Sequence, residues 1–253
     1  MNPLADDSDK SWDWYGKNDP YYGVFSVDQF RGKNLSEENL KAFFDSGVAH
    51  VHRVLGIVES HLGPIPLGSC LDFGCGVGRL AIPFAARFGT VAGIDISPSM
   101  IAEAQRNCAR YDTRNINFFS SLESAPGLYD LVHTYVVLQH IPVKRGLQLI
   151  DALIDKTAPS GAAFLHLTIG RNKGRLRDLA TFFRKNIRPL HWVLNLLQGR
   201  KATEAYMQSN RYPLNALMAH LHDRGIRQIW VEVENHEGPY SVCLAFRRSE
   251  AAR

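Results

Sequence analysis

The sequence has no apolar run approaching the roughly 18 to 20 residues that span a bilayer, because charges, His or Gly interrupt every candidate stretch. A membrane-spanning helix is not expected. It has only four cysteines, Cys70, Cys75, Cys108 and Cys243, with no CxxC pair and no Cys/His grouping at metal spacing. Neither a disulfide framework nor a metal site is expected, and the thiols read as small apolar residues in a reducing compartment. The opening MNPLADDSDKSWDW lacks the basic start and apolar segment of a secretory signal, which makes the expected location cytoplasmic. Low-complexity tracts and solenoid-period repeats are missing too. What is left is a chain of 253 residues, 45% hydrophobic and 21% charged, the profile of a globular protein able to bury a full core.

The net charge of +4 is unevenly spread. Nine cations (Arg171, Lys173, Arg175, Arg177, Arg184, Lys185, Arg188, Arg200, Lys201) face Asp178 alone, leaving the rest of the chain slightly acidic. Before that segment, aromatic residues crowd around Asn18-Asp19-Pro20-Tyr21-Tyr22-Gly23, where Pro20 and Gly23 oppose regular helix and an ordered loop is expected. Ser36 then caps a helix whose apolar face is Leu40, Phe44, Val48, Val51, Leu55, Val58 and Leu62, ending near Gly63-Pro64.

From Ser69 short apolar strands alternate with amphipathic helices, the grammar of a parallel α/β sheet. SCLDFG, TVAGIDI, NINFFS, LYDLVHTYVVL and GAAFLHLTI read as strands, with RLAIPFAARFG, Pro98 to Ala109 and VKRGLQLIDALIDKTA as helices between them. Pro213 opens a last helix, and IRQIWVEVE and YSVCLAFRR form a hairpin, so the sheet closes with an antiparallel strand. Four regions follow: 1–67, an aromatic loop and helix over the site; 68–169, the core; 170–212, a basic helical lid; and 213–253, which completes the sheet.

Leu71-Asp72-Phe73-Gly74-Cys75-Gly76-Val77-Gly78-Arg79 carries the most information. Glycines are required where backbone turns tightly or lies against a ligand. The spacing is G-x-G-x-G, and a dinucleotide-binding turn would need its third glycine where Arg79 stands. Asp72, two residues ahead of the first glycine, argues against a pyrophosphate and for a cationic group. Asp95 ends the second strand, 21 residues after Gly74, where such folds present an acid to two ribose hydroxyls.

In these residues the chain resembles the class I S-adenosylmethionine-dependent methyltransferases. LDFGCGVGRL is similar to their first motif, GIDIS to their second, YDLVHTYVVLQHIP to the fourth-strand motif and Ser160 to Ile169 to the fifth strand. The resemblance implies a Rossmann-like seven-stranded sheet, helices on both faces, last strand antiparallel, with S-adenosyl-L-methionine as cofactor. It implies that Asp72, Phe73, Gly74, Cys75, Gly76 and Gly78 line the methionine and ribose, that Asp95 holds the ribose, and that Ile96 and Met100 border the adenine. Ser121 and Leu122 occupy the place where many relatives carry an Asp toward the adenine. His133 and Tyr135 lie where the methyl group would face the fourth strand.

His140, in LQHIP, resembles by position the active-site His of phosphoethanolamine methyltransferases, whose partner is an N-terminal Tyr; Tyr21 and Tyr22 are the candidates here. The expected reaction is methyl transfer to an O or N atom of a small acceptor, anionic if the basic segment serves the pocket. The alternatives are an RNA or protein methyltransferase docking through that segment, and a non-catalytic cofactor-binding protein. An acidic membrane surface is a further candidate partner for the cations; nucleic acid ranks lower because no recognised binding module accompanies them.

Overall fold

The computed structural model describes residues 8–171, 188–197, 199–235 and 239–248. Its centre is a seven-stranded sheet in the order β3-β2-β1-β4-β5-β7-β6. The strands are β1 (Ser69–Phe73), β2 (Thr90–Ile94), β3 (Ile116–Phe119), β4 (Tyr129–Thr134), β5 (Thr157–Arg171), β6 (Ile229–Asn235) and β7 (Pro239–Arg247). All pairings are parallel except those of β7, which runs antiparallel to both β5 and β6. The expected sheet is therefore the observed one.

Alternation along the strands gives each face its own core. Cys70, Val91, Leu131, Ala162, Phe164 and Cys243 face α3 (Glu37–Leu62) and α4 (Ala81–Ala85). Their neighbours Leu71, Ala92, Val132, Ala163, Leu165 and Val242 face the other way, toward α6 (Val143–Lys156) and α8 (Leu214–Asp223). Both central strands are apolar on both faces, as a sheet covered on two sides requires. All four cysteines are buried and free.

Local chemistry sets the helix ends. Ser36 Oγ accepts from the Asn39 amide at 3.1 Å at the start of α3, and Gly63 ends it at φ 80°. Ser97 Oγ accepts from the Met100 amide at 3.3 Å at the start of α5 (Pro98–Arg110), with Pro98 in the first turn. The buried face of α3 is Leu40, Phe43, Phe44, Gly47, Val51, Val54 and Val58, whereas Val48 is exposed. Phe43, Gly47 and Val54 thus join the expected stripe in place of Val48, while Leu55 and Leu62 pack against the core half-buried. A Cβ on Gly47 would stand 2.1 Å from the Arg79 carbonyl oxygen, so the glycine sets how closely α3 approaches the loop after β1.

Three expectations about local structure are corrected. Residues around Pro20 form two helices, α1 (Ser8–Asn18) and α2 (Pro20–Val24), and not a loop: Pro20 occupies the first turn, where its missing N–H costs nothing. RLAIPFAARFG is helical only over Ala81–Ala85. The fourth strand stops at Thr134, because Val136 adopts φ 61° and a 3-10 turn, Leu138–His140, follows. A β-branched residue at positive φ is strained by roughly 1 to 3 kcal/mol, and here it turns the chain out at the sheet edge.

The N-terminal helices pack Tyr15, Tyr21 and Tyr22 with Phe30, Phe43, Phe44, Val77 and Met100 into a third cluster beside α5. Most of the basic segment, including Lys173, Arg175, Arg177, Arg184 and Lys185, lies outside the described residues. Its helix α7 (Arg188–Leu197) buries Asn195, whose amide donates to the carbonyls of Ala202 and Glu204 at 3.0 Å, while Trp192, Val193 and Leu197 are exposed. Along the apolar face Leu190, Val193, Leu194 and Leu197, the first and third residues are half-buried and the other two exposed. Glu204, itself buried, accepts from Arg31 at 3.3 Å, and Tyr15 Oη donates to the Ala205 carbonyl at 2.9 Å, joining this region to the N-terminus.

Replacing Gly47 by Val should force α3 off the Arg79 carbonyl and destabilise the protein by about 1 to 3 kcal/mol. Thermal melting should show the transition several degrees lower; an unchanged midpoint would mean that this contact does not set the spacing.

Candidate active site

A cavity of about 400 Å³ opens at the carboxyl ends of β1, β2 and β4. Strand order reverses between β1 and β4, and such a switch point leaves a crevice because successive connections leave on opposite faces. Its floor is the loop after β1. Gly74, Gly76 and Gly78 have φ of 78°, 52° and 87°, which other residues adopt only with strain. At Gly74 a Cβ would lie 2.2 Å from Val137 Cγ2, so the loop lies flush against the strained turn after β4.

Asp72 ends β1 at 2% exposure. His133 Nδ1 donates to its Oδ1 at 2.8 Å from the neighbouring strand, and Oδ2 has no partner although it is buried. Behind it, His133 Nε2 and His50 Nε2 lie 3.0 Å apart. Burial, then the His133 ring, push the His50 pKa far down, so His50 stays neutral. Since a carboxylate only accepts, His133 carries a proton on Nδ1, and its Nε2 shares a hydrogen bond with His50 Nε2. A chain of contacts thereby holds one Asp72 oxygen and leaves the other open to a cation.

Asp95 lies at the end of β2, accepting from the Gly76 amide through Oδ2 and the Ser97 amide through Oδ1, each at 2.9 Å. Burial raises its pKa to about 6 against these two bonds, and each oxygen keeps a lone pair for a further donor. Ile96, Met100, Ser121 and Leu122 line the cavity beyond it. Phe73, Gly74, Cys75, Gly76 and Tyr135 line it too. Gly78 and His133 do not: Gly78 faces Ile82 and Ala104 and serves the turn, and His133 stands behind Asp72.

His140 borders the cavity at 8% exposure. Its Nδ1 donates to the Gln208 carbonyl at 2.5 Å, and the Gln139 amide approaches Nε2 at 3.2 Å. Thr168 Oγ1 donates to Gln139 Oε1 at 2.7 Å, which orients that amide. Burial lowers the His140 pKa to about 4, leaving a neutral ring with its basic nitrogen at Nε2.

The structure does not bring Tyr21 or Tyr22 to this place. Tyr21 Oη donates to Glu103 Oε1 at 2.6 Å and Asn107 Oδ1 at 3.0 Å, and the Tyr22 ring stacks under Arg31 at 3.6 Å. The N-terminal aromatic at His140 is Trp12, with ring centroids 4.8 Å apart. Asp9 on α1 receives Arg145 Nη1 from α6 at 2.9 and 3.1 Å, and both side chains border the cavity. Trp12 and His50 carried no local motif; they meet the site only through tertiary packing.

Residues 70–161 match the model of a methyltransferase domain. The magnesium protoporphyrin IX methyltransferase of Arabidopsis thaliana is 42% identical over 85 residues, 32% of this chain and 27% of that protein. A ubiquinone biosynthesis O-methyltransferase of Dechloromonas aromatica is 33% identical over 106 residues, 40% of this chain and 44% of that one. The chain spans at most about half the length of the curated relatives it matches. Among solved structures, magnesium protoporphyrin IX methyltransferase from Synechocystis with bound S-adenosylhomocysteine superposes at a TM-score of 0.63 and 23% identity, covering 96% of this chain and all (100%) of that one. An N-methyltransferase from Bradyrhizobium japonicum, also holding S-adenosylhomocysteine, gives 0.58 at 16% identity, covering 97% and 100%. The domain match, the order of the seven strands and the acids closing β1 and β2 agree: the chain carries a class I S-adenosylmethionine-dependent methyltransferase domain.

Proposed function

We propose that the protein transfers the methyl group of S-adenosylmethionine to an oxygen or nitrogen of a small acceptor. The observation that carries this reading is the buried, unpartnered Oδ2 of Asp72 in the wall of the cavity. A buried carboxylate oxygen without a donor is costly, and the α-ammonium of the cofactor supplies the missing charge-assisted bond. Asp95 accepts from the ribose hydroxyls, and Ile96, Met100 and Leu122 border the adenine. Relatives named as O-methyltransferases support oxygen as the receiving atom.

The cofactor, when bound, supplies an electrophilic methyl on a sulfonium. The chain's own residues align and shield. Aligning a nucleophile for in-line displacement contributes several kcal/mol to lowering a barrier. Trp12 and the Asp9–Arg145 ion pair lay α1 across the acceptor end and exclude water. The Gln208 carbonyl holds the ring through Nδ1, and His140 Nε2, neutral at pH 7, takes the acceptor's proton or orients it once the acceptor displaces the Gln139 amide from that nitrogen.

Cofactor affinity should fall as pH drops through about 6, because protonating Asp95 removes the charged acceptor of the ribose hydroxyls. Calorimetric titration with S-adenosylhomocysteine between pH 5 and 8 checks this, with an expected loss approaching about tenfold at pH 5. Asp95→Asn should bind roughly ten- to a hundredfold more weakly at pH 8 and lose the pH dependence. A parent affinity flat across that range would remove Asp95 from the site.

His140→Ala should lower kcat by about 10² or more while leaving S-adenosylhomocysteine affinity within about twofold. Parallel losses in both would mean that the ring only supports the cavity wall. The group also reports on stability: its pKa is depressed below the usual histidine value of roughly 6.5, so the unfolded chain binds the proton first and stability falls as pH drops from 6.5 toward 4. Denaturant unfolding of His140→Gln should show a shallower decline across that window than the parent shows.

A further inference from the structure

Helix α7 is amphipathic, yet it packs with its polar side inward. The buried Asn195 donates to the carbonyls of Ala202 and Glu204 at 3.0 Å, and His191 Nε2, one turn earlier, donates to the same Glu204 carbonyl at 2.8 Å. On the opposite side Trp192, Val193, Leu196 and Leu197 are 47%, 51%, 62% and 78% exposed. At 3.6 residues per turn these four positions form one stripe. A surface helix ordinarily buries its apolar stripe and leaves its polar side in water; α7 does the reverse, held by side-chain hydrogen bonds. A contiguous apolar stripe left outward marks a surface that meets another apolar phase.

The charge beside the stripe is of one sign. Arg188 opens the helix, and Arg200 and the exposed Lys201 follow it after the turn at Gly199, whose φ is 68°. No acid lies within 188–201, and over 171–201 nine cations stand against Asp178 alone. The next acid, Glu204, is buried and turned to Arg31 and Arg200.

We propose that α7 docks the protein onto an anionic lipid bilayer, with Trp192, Val193, Leu196 and Leu197 at the headgroup boundary and Arg200 and Lys201 on the lipid phosphates. Aliphatic side chains enter the acyl boundary, a Trp ring sits at headgroup level, and Lys and Arg are attracted by anionic headgroups. RNA would engage the cations but leave Val193, Leu196 and Leu197 in water, because it is bound through stacking and phosphate contacts. A second copy meeting through the same stripe would set the two basic stretches against each other. Among the described residues no helix is long and apolar enough to cross a bilayer, so the docking is peripheral. The segment that α7 holds through Ala202 and Glu204 also supplies the Gln208 carbonyl to His140, which joins the docked face to one end of the cavity. The proposal does not depend on the methyltransferase reading.

The test is co-sedimentation of the full chain with vesicles of phosphatidylcholine alone and of phosphatidylcholine mixed with phosphatidylglycerol. The parent should bind the mixed vesicles about tenfold more tightly than the neutral ones, and the preference should shrink as salt is raised. Leu196→Ser combined with Leu197→Ser should weaken binding to the mixed vesicles about tenfold, and Lys201→Gln roughly fivefold. The thermal midpoint and the affinity for S-adenosylhomocysteine should stay those of the parent, because these side chains face solvent. On vesicle addition the tryptophan emission should move to shorter wavelength, and Trp192→Phe should lose that shift while still sedimenting. Failure of the parent to bind the mixed vesicles, or equal binding by the double leucine variant, would overturn the proposal. So would a dimer of the parent that the leucine substitutions dissolve, which would place a second copy on the stripe.

Discussion

The bond from His133 Nδ1 to Asp72 Oδ1, 2.8 Å long and shielded from water, ties β1 to β4 across the point where strand order reverses. The site depends on it. It holds a carboxylate at the floor of the cavity with one oxygen satisfied and the other exposed only to whatever enters. His50, reaching from α3, meets the His133 ring at 3.0 Å, so the orientation of Asp72 is coupled to the helix that also presses on Arg79 through Gly47. Two buried charges of opposite sign therefore stand in one cavity wall because a single helix, α3, is packed close enough to hold both. The site is a fixed electrostatic environment, set before any ligand arrives.

Around this floor the remaining walls come from distant segments. Trp12 of α1, His140 of the turn after β4, and the carbonyl of Gln208 are hundreds of atoms apart along the chain, yet His140 touches both. The N-terminal helices and the stretch around 204–208 are joined through Tyr15 and Glu204. Motion of either would be felt at the end of the cavity bounded by Trp12 and His140, while the end built on β1, β2 and α5 belongs to the core. That division suits a chemistry in which one ligand is constant and the other is selected.

How much of this was legible in the sequence follows from the range of each interaction. Ser36 and Ser97 act within three residues and announce their helices directly. The positive-φ glycines and the acids Asp72 and Asp95 sit at fixed offsets in one strand-turn-helix unit, so their meeting at one cavity could be read. The N-terminal helices could not: Pro20 looks like a breaker unless its place in the first turn is known. Tyr21 and Tyr22 are candidates only through the resemblance, but Glu103, Asn107 and Arg31 claim them, and no local pattern predicts partners that far away. Val48 fell into the apolar stripe of α3 by spacing, whereas the real stripe follows Gly47, whose role depends on a carbonyl in another element. Arg79 was visible as the residue that spoils a dinucleotide motif, but its burial without a counter-ion exists only in three dimensions.

The account stands or falls on what fills the cavity between Asp72 and Asp95. A crystal structure of the protein grown with S-adenosylhomocysteine measures this directly. It should show the amino-acid end of the ligand bonded to Asp72 Oδ2, the ribose on Asp95, the adenine between Ile96 and Leu122, and a residual space bounded by Trp12 and His140. Density for the ligand elsewhere, or a cavity that stays filled with water at saturating ligand, would contradict it.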